Sequence, residues 1–276
     1  MVIFPGSKIN FGLNIVNRRP DGYHNIESIM VKIGWSDVLE ITPSKSGNTT
    51  LTVSGNKVDC PTEKNLVMKA YRAVENHIGE LPAADIHLRK IVPDGAGLGG
   101  GSADAAATVK GLNSLFDLGL SLETMAEICG KIGADCPFFI YDTPMLVTET
   151  GTTMRPVELP QLKDMGIVVL KPKRSVSTAQ AYAGAKLSGS ELGLESLAAE
   201  EPMLWRENIT NGFEPSVGAA LPEIMELKKR LYDMGAVYAS MSGSGSSVYG
   251  LFECDILADI EIPVIEDCAT YKGVIF

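Results

Sequence analysis

The chain has 276 residues, of which 45% are hydrophobic and 21% charged, and its formal net charge is −10. This length suits one large domain or two modest ones, and the composition is typical of a globular protein. The negative charge disfavours nucleic acid and anionic membranes as partners, and no apolar run reaches the roughly 20 residues that a membrane helix requires. A local cluster of backbone N–H groups with one lysine can still hold an anion, because salt screens distant charges over about 8 Å.

The five cysteines are scattered and odd in number, and none forms a CxxC pair. This pattern argues against a zinc site or a disulfide framework and favours a reducing cytoplasm. The first residues, MVIFPGSKINFG, show neither a basic region nor a small-residue cleavage site. We therefore expect a cytoplasmic protein without a signal peptide.

Strand patterns dominate the N-terminal part of the chain. The predicted strands there are 7–17, 26–42, 49–53 and 85–92. A helix is predicted over 61–79, with Thr62 as its cap and Gly79 at its end.

Helices and strands follow each other in the rest of the chain. The predicted helices are 102–116, 121–133 with Ser121 as cap, and several more within 177–232. The predicted strands are two within PFFIYDTPMLVTETG, one at GIVVL, two within AVYASMSGSGSSVYGLFE and a last one at YKGVIF. Segment 155–166 has the composition of a linker. The pattern predicts an α+β fold in two lobes, with domains at 1–160 and 161–276.

The most informative stretch is VPDGAGLGGGSADAAATVKGL, residues 92–112, which has five glycines between positions 95 and 101. A predicted helix follows these glycines directly. The first N–H groups of a helix lack partners and carry the positive end of its dipole, and glycine lets an anion approach the backbone closely. A plain turn needs fewer glycines, so the stretch predicts a phosphate site.

Two common phosphate loops fit this stretch poorly. Gly95, Gly97 and Gly100 satisfy the dinucleotide fingerprint GxGxxG, which would indicate an oxidoreductase. That fingerprint also requires a second strand ending in an acid about 20 residues later, whereas Asp117 lies between two predicted helices. The P-loop pattern places a lysine where this chain has Gly101. The loop therefore lacks a cation of its own.

The segment PDGAGLGGGSADAA resembles the second signature motif of the GHMP kinases, which include galactokinase, homoserine kinase and mevalonate kinase. PGSKINFGLNI at 5–15 resembles the first motif, and SMSGSGSSVYGLF at 240–252 resembles the third. KINFGLNIVNRRPDGYHNIESIM, KNLVMKAY, KIGADCPFF and VSTAQAY resemble one branch, the 4-diphosphocytidyl-2-C-methyl-D-erythritol kinases. The resemblance implies an ATP-binding N-terminal lobe, a ferredoxin-like C-terminal lobe and an active site in the cleft between them.

The resemblance also implies a reaction. The branch transfers the γ-phosphate of ATP to the 2-hydroxyl of a small cytidine-diphosphate-linked methylerythritol, in the non-mevalonate isoprenoid pathway. Lys8 becomes the catalytic lysine, whose ammonium favours the alkoxide and balances phosphoryl charge. Asp135 becomes the catalytic aspartate, which either accepts the hydroxyl proton or orients the hydroxyl.

For the nucleotide, the resemblance implies contacts from the loop, from the start of the following helix and from one earlier asparagine. The implied ATP-binding residues are Asn65, Pro93, Asp94, Gly95, Ala96, Gly97, Leu98, Gly99, Gly100, Gly101, Ser102 and Ala103. Ser102 is either the cap of the helix or a hydroxyl ligand of a phosphate oxygen or of Mg²⁺.

For the acceptor, the resemblance implies a site that reads the cytosine base. Tyr23 and Tyr182 would stack on its two faces, and His24 would bond its edge. The other implied substrate-binding residues are Asn10, Gly243 and Ser244. A different GHMP kinase, of homoserine or mevalonate type, is the main alternative. A non-catalytic nucleotide-binding relative is opposed by the presence of both Lys8 and Asp135. The sequence carries no signal for oligomeric state.

Overall fold

The computed structural model describes residues 1–189, 192–262 and 264–275. These residues form two compact units, and each unit mixes helices with strands, which confirms the predicted α+β class. The first unit consists of residues 1–7, 35–94 and 99–142. The second unit consists of the described residues within 8–34, 95–98 and 143–276. The units are thus discontinuous in sequence, and the domain boundary near residue 160 stays a prediction.

The described residues contain twelve strands. They are β1 Val2–Ile3, β2 Gly6–Arg18, β3 His24–Ser36, β4 Val38–Pro43, β5 Thr50–Gly55, β6 Ala84–Lys90, β7 Met145–Thr148, β8 Thr153–Pro156, β9 Gly166–Pro172, β10 Tyr238–Met241, β11 Val248–Phe252 and β12 Cys268–Val274. Phe276, at the end of the predicted strand YKGVIF, lies outside the described residues.

The described residues also contain nine α-helices and three short 3-10 helices. The α-helices are α1 Leu66–Ile78, α2 Gly100–Leu115, α3 Leu122–Gly130, α4 Thr178–Ala183, α5 Gly193–Ala198, α6 Pro202–Asn208, α7 Glu214–Ala220, α8 Glu223–Asp233 and α9 Cys254–Asp259. The 3-10 helices are Thr62–Lys64, Cys136–Ile140 and Pro160–Leu162.

The first unit packs three helices on one sheet. The sheet has the order β1-β4-β6-β5, and only the β5–β6 pair is parallel. Helices α1 and α2 pack against each other, and α2 also packs against β4. A Cβ atom at Gly111 of α2 would lie 2.8 Å from the side chains of both Ile3 and Ile41. Glycine at this position therefore lets α2 lie close to the sheet.

The second unit contains a four-stranded antiparallel sheet with the order β10-β11-β9-β12. Every residue of β9 is buried, as the apolar run GIVVL predicts for its first five residues. The crossover helix α8 packs on β9, β10 and β11, and α9 packs on β9. This strand order with two crossover helices is the βαββαβ ferredoxin-like arrangement, so that prediction is confirmed.

The second unit also contains a sheet with the order β2-β3-β7-β8. Ten successive residues of β2 are buried, beginning at Gly6. Phe11 of this strand contacts the ring of Trp205 edge-on, with ring centroids 4.9 Å apart. Strand β2 lies at the edge of this sheet, yet its first ten residues are buried, so their side chains are held firmly by their neighbours.

Three predicted elements were wrong in detail. Segment 26–42 forms two strands, β3 and β4, because Asp37 between them turns its carboxylate to the backbone N–H groups of Ile91 and Val92. The cap of α1 is Asn65 and not Thr62, since the Asn65 side chain accepts the hydrogen bond from Val67 N. The segment that begins PFFIY forms a 3-10 helix with a proline in its first turn, and not a strand.

Candidate active site

Lys8 lies on β2 and is 3% exposed. Its ammonium donates to the backbone oxygen of Gly97 at 2.9 Å and to Asn10 Oδ1 at 2.5 Å. The backbone N–H of Lys8 donates to Leu98 O at 2.8 Å. A buried lysine needs such partners, because removing an ammonium from water is costly. The strand and the glycine segment therefore hold the head group in one place.

Residues 95–98 are bound by their carbonyl oxygens to other parts of the second unit. Ala96 O accepts from Ser247 N at 3.1 Å, and Gly97 O accepts from Ser242 Oγ at 2.9 Å. A Cβ atom at Gly97, where φ is +73°, would lie 2.0 Å from Ser242 O. Only glycine permits this approach, and with it two of the glycine-containing signature segments meet directly.

Asn10 connects the same elements. Its backbone N–H donates to Ser242 Oγ at 3.2 Å, and its side-chain amide donates to Ser28 Oγ at 2.8 Å. A Cβ atom at Gly243, where φ is +56°, would lie 3.2 Å from Asn10 Oδ1 and 3.6 Å from Lys8 Nζ. The structure thus brings together four predicted site residues of the second unit, Lys8, Asn10, Gly97 and Gly243.

In the first unit, the glycines themselves begin α2. Gly99 is the N-cap, with a left-handed φ of 67°, and no side chain caps the helix. Ala103 N donates to Gly99 O at 2.9 Å, while the preceding N–H groups belong to the first turn, which has no helical acceptors. Ser102 is the third helical residue, so its role as N-cap is wrong. An uncapped helix start with glycine at its first positions suits an anion.

A cavity of about 160 Å³ in the first unit is lined by three predicted ATP-binding residues. These are Asn65, Gly101 and Asp94. Asn65 is 7% exposed because its side chain caps α1. The same cavity is lined by Lys90 and Asp104.

Lys90, Asp37 and Asp104 form a buried charged cluster that sequence reasoning missed as a unit. Lys90 Nζ donates to Asp104 Oδ2 at 2.8 Å and also to Asp37 Oδ2. Burial raises the pKa of Asp104 to about 7, against the opposing effect of the Lys90 ammonium. Burial also works against the charge of Lys90, but the two carboxylates outweigh it and raise the pKa of Lys90. Lys90 lies five residues before Gly95, the first glycine of the loop, and this position is the sequence feature that could have indicated it.

Asp135 precedes the 3-10 helix Cys136–Ile140, and its side chain does not cap that helix. The Cys136 thiol is fully buried, and burial raises its pKa to about 11, although a hydrogen bond with the Ser102 side chain acts in the opposite direction. Cys136 is therefore a neutral packing residue, and it links the chain beside Asp135 to the first turn of α2.

The predicted base-binding residues lie in the second unit. The rings of His24 and Tyr182 stack, with centroids 5.0 Å apart and planes 19° from parallel. Tyr182 of α4 also contacts Phe213 edge-on at 4.7 Å. Tyr23 is 68% exposed. His24 and Tyr182 thus contact each other directly, whereas the ring of Tyr23 is left largely in solvent.

Ser244, between β10 and β11, lies beside the start of α4. Its hydroxyl is 3.1 Å from that of Thr178, the first residue of α4. Among the described residues, no group of three or more His, Cys, Asp or Glu side chains is placed to hold a metal ion. None of the described helices is both long and apolar enough to cross a membrane.

Two family models match the chain. Residues 65–143 match the GHMP kinases N terminal domain, and residues 194–259 match the GHMP kinases C terminal domain. The glycine-started helix α2 falls in the first match, and the crossover helix α8 falls in the second. The fold and these matches define a GHMP kinase, a class of phosphotransferases.

Comparison with similar proteins indicates which family of GHMP kinases the chain belongs to. The chain is 47% identical to the 4-diphosphocytidyl-2-C-methyl-D-erythritol kinase of Parabacteroides distasonis, over 99% of both chains. It is 39% identical to the kinase of that name from Porphyromonas gingivalis, over the full length of both. A crystal structure of 4-(cytidine 5'-diphospho)-2C-methyl-D-erythritol kinase matches with a TM-score of 0.79 and 29% identity, over 94% of this chain and 92% of the other. The chain belongs to the family of the 4-diphosphocytidyl-2-C-methyl-D-erythritol kinases.

Proposed function

We propose that this chain transfers the γ-phosphate of ATP to the 2-hydroxyl of 4-diphosphocytidyl-2-C-methyl-D-erythritol, in the synthesis of isoprenoid precursors. The observation that carries the proposal is the buried Lys8, whose ammonium lies 2.9 Å from the backbone of the glycine segment. The names of the full-length relatives support the choice of acceptor. The five free cysteines fit a reducing compartment, so we assign the reaction to the cytoplasm.

The glycine loop, residues 93–101, binds the phosphates of ATP in this proposal. Helix α2 starts at Gly100 without a side-chain cap, so its first N–H groups and its dipole favour an anion. The carbonyls of residues 96–98 are already engaged within the second unit, which keeps their partial negative charge away from a ligand. Asn65 and the cavity of about 160 Å³ beside Gly101 contact the rest of the nucleotide.

Lys8 and Asp135 act on the acceptor hydroxyl. The ammonium of Lys8 stabilises the developing alkoxide and balances the negative charge on the phosphoryl group during its transfer. This ammonium donates to Gly97 O and Asn10 Oδ1, and these bonds hold it in place. In this proposal Asp135 accepts the proton of the hydroxyl or orients it.

Mg²⁺ fits the residues present without a dedicated protein cage. It usually keeps several waters and binds substrate phosphates with one or two protein oxygens. Ser102, in the first turn of α2 and half-buried, is the residue that we assign to it. When bound, Mg²⁺ neutralises charge on the transferred phosphoryl group.

The cytosine base is read by Tyr23, His24 and Tyr182 in this proposal. Aromatic rings on both faces of a base hold it by stacking, worth about 1–3 kcal/mol per base. His24 and Tyr182 are already 5.0 Å apart, so His24 is not the second face, and the exposed ring of Tyr23 takes that role. Asn10, Gly243 and Ser244 contact the acceptor beyond its base.

The experiment compares acceptors at fixed ATP and Mg²⁺, with ADP release as the readout. The acceptors are the cytidyl-linked methylerythritol, unlinked methylerythritol, homoserine and mevalonate. We expect turnover with the cytidyl-linked compound alone, because only it offers both the hydroxyl and the base. Turnover with homoserine or mevalonate would contradict the proposed acceptor. Equal turnover of linked and unlinked methylerythritol would contradict the base site.

A further inference from the structure

The cluster of Lys90, Asp37 and Asp104 has no part in the reaction proposed above. All three residues are buried, with exposures of 6%, 0% and 2%. They lie within the first unit, at three different places in the sequence: the end of β6, the break between β3 and β4, and the second turn of α2. Three buried charges need an explanation, because desolvation makes such groups costly.

One side of the cluster fixes the chain that enters the glycine loop. Asp37 Oδ1 accepts hydrogen bonds from Ile91 N at 2.5 Å and from Val92 N at 2.8 Å. Asp37 Oδ2 accepts from Lys90 Nζ. A single carboxylate therefore orients two successive peptide groups immediately before the loop.

The other side of the cluster fixes the helix that leaves the loop. Lys90 Nζ donates to Asp104 Oδ2 at 2.8 Å. A Cβ atom at Gly100, the first residue of α2, would lie 3.5 Å from Lys90 Nζ and 3.1 Å from Val92 Cγ1. The ammonium of Lys90, the last residue of β6, thus lies beside the first residue of α2 and is bound to Asp104 in the next turn of that helix.

Stability alone is a weak reason for this arrangement. Buried ion pairs replaced by apolar side chains of similar volume are often no less stable, and this cluster contains two carboxylates for one ammonium. The other oxygen of Asp104 is buried without a hydrogen-bond partner among the described residues. Asp104 and Lys90 line the cavity shared with Asn65 and Gly101. The cluster therefore faces the place assigned above to the nucleotide.

We propose that Lys90 is a positioning residue for nucleotide binding: it holds the two flanks of the glycine loop at a fixed spacing through Asp37 and Asp104. It touches neither the acceptor nor the transferred phosphoryl group. Removal of the Lys90 ammonium should weaken the binding of ATP and leave the acceptor site intact. This inference rests on the proposed ATP site, so its test measures ATP binding separately from turnover.

The test uses three changes of the cluster and one control. Lys90→Met removes the charge and keeps most of the stem. The triple variant K90M/D37N/D104N removes all three charges and keeps an oxygen for Ile91 N and Val92 N. Lys90→Arg keeps the charge. Lys110→Met is the control, because Lys110 lies on α2 like Asp104 but pairs with the exposed Asp142.

The dissociation constant of ATP is measured by calorimetry, the KM of the acceptor by turnover, and folding by thermal unfolding. We expect Lys90→Met and the triple variant to weaken ATP binding by about tenfold or more, with less than about a twofold change in acceptor KM. Lys90→Arg should recover part of the loss, and Lys110→Met should resemble the wild type.

A folded triple variant that binds ATP as tightly as the wild type would overturn the proposal. If neither variant lacking Lys90 folds, ATP binding by Asp104→Asn tests the proposal instead. This variant keeps the Lys90 ammonium and leaves it paired with one carboxylate, that of Asp37. We then expect a loss of ATP affinity of about threefold or more, and unchanged affinity overturns the proposal. Wild-type protein that binds ATP but phosphorylates none of the four acceptors would contradict the proposed function, and the calorimetric test of Lys90 would still stand.

Discussion

The side chain of Lys8 shows what a single buried cation does in this protein. Its ammonium donates to Gly97 O and to Asn10 Oδ1, and both bonds hold it in place within the second unit. A lysine near the start of a strand is usually solvated, so sequence alone leaves Lys8 ambiguous without the motif around it. In contrast, Lys90 was not predicted as a site residue, because its partner Asp37 lies 53 positions earlier in the chain.

Removal of the charge at Lys8 or Asp135 should abolish most of the catalysis. We expect Lys8→Met and Asp135→Asn each to lower kcat by about 100-fold or more, since each group acts on charge that develops in the transition state. Steady-state kinetics measures the effect, and circular dichroism checks the fold. Lys110→Met, which removes a partly exposed ammonium, is the control. A kcat near that of the wild type in a folded variant would remove that residue from the mechanism.

Tyr182 should matter for the acceptor far more than for ATP. A lost stacking contact corresponds to a rise of about tenfold in the KM of the cytidyl substrate for Tyr182→Ala. Because Tyr182 also packs against Phe213, Tyr182→Phe is the matched control that keeps the ring in place. Kinetics at varied concentrations of each substrate separates the two KM values. An equal rise in the KM of ATP would contradict the stacking role.

At the scale of elements, two different constraints require glycine in the loops: a close approach of two backbones and a positive φ angle. Gly97 has a positive φ and meets the backbone of Ser242, whereas Gly119 has a positive φ and open space around its Cβ position. The two glycines therefore separate the effect of backbone strain from the effect of close approach.

Gly97→Ala should damage the protein much more than Gly119→Ala. Both changes force alanine into a positive φ, at a cost of about 1–2 kcal/mol. Only the first also drives a Cβ atom to 2.0 Å from Ser242 O, so the loops must separate. We expect a large loss of activity and a lower unfolding temperature for Gly97→Ala, and a modest loss of stability alone for Gly119→Ala. Similar behaviour of the two variants would show that the close approach is unimportant.

Most elements of this fold were predictable from local patterns. The alternating strand at 85–92 and the capped helix starting after Ser121 both formed within a few residues of the predicted bounds. The errors came from tertiary partners that local sequence does not reveal. The break at Asp37 depends on Ile91 and Val92, which are more than fifty residues away along the chain.

At the scale of the whole molecule, one buried acid couples stability to pH. The pKa of Asp104, about 7, lies above its ordinary value of 3.8, so the folded protein keeps a proton that the unfolded chain releases. The contribution of Asp104 to stability is therefore greatest below pH 3.8 and declines as the pH rises to about 7.

Asp104→Asn should remove this decline. We expect the free energy of unfolding of the variant, relative to wild type, to rise between about pH 4 and pH 7, by an amount on the order of a few kcal/mol. Urea unfolding at several pH values measures the difference. Asp59→Asn, whose carboxylate is 96% exposed, is the control. Parallel curves for wild type and Asp104→Asn would contradict the assignment of this proton to Asp104.

The central claim is that this chain phosphorylates one hydroxyl of a cytidyl-linked acceptor. Phosphorus NMR of the product formed from ATP and 4-diphosphocytidyl-2-C-methyl-D-erythritol tests it most directly. The account predicts a new phosphomonoester resonance, coupled to the carbon that bears the 2-hydroxyl, beside an unchanged diphosphate pair. A product phosphorylated at another hydroxyl, or ADP release without any new phosphomonoester, would contradict it.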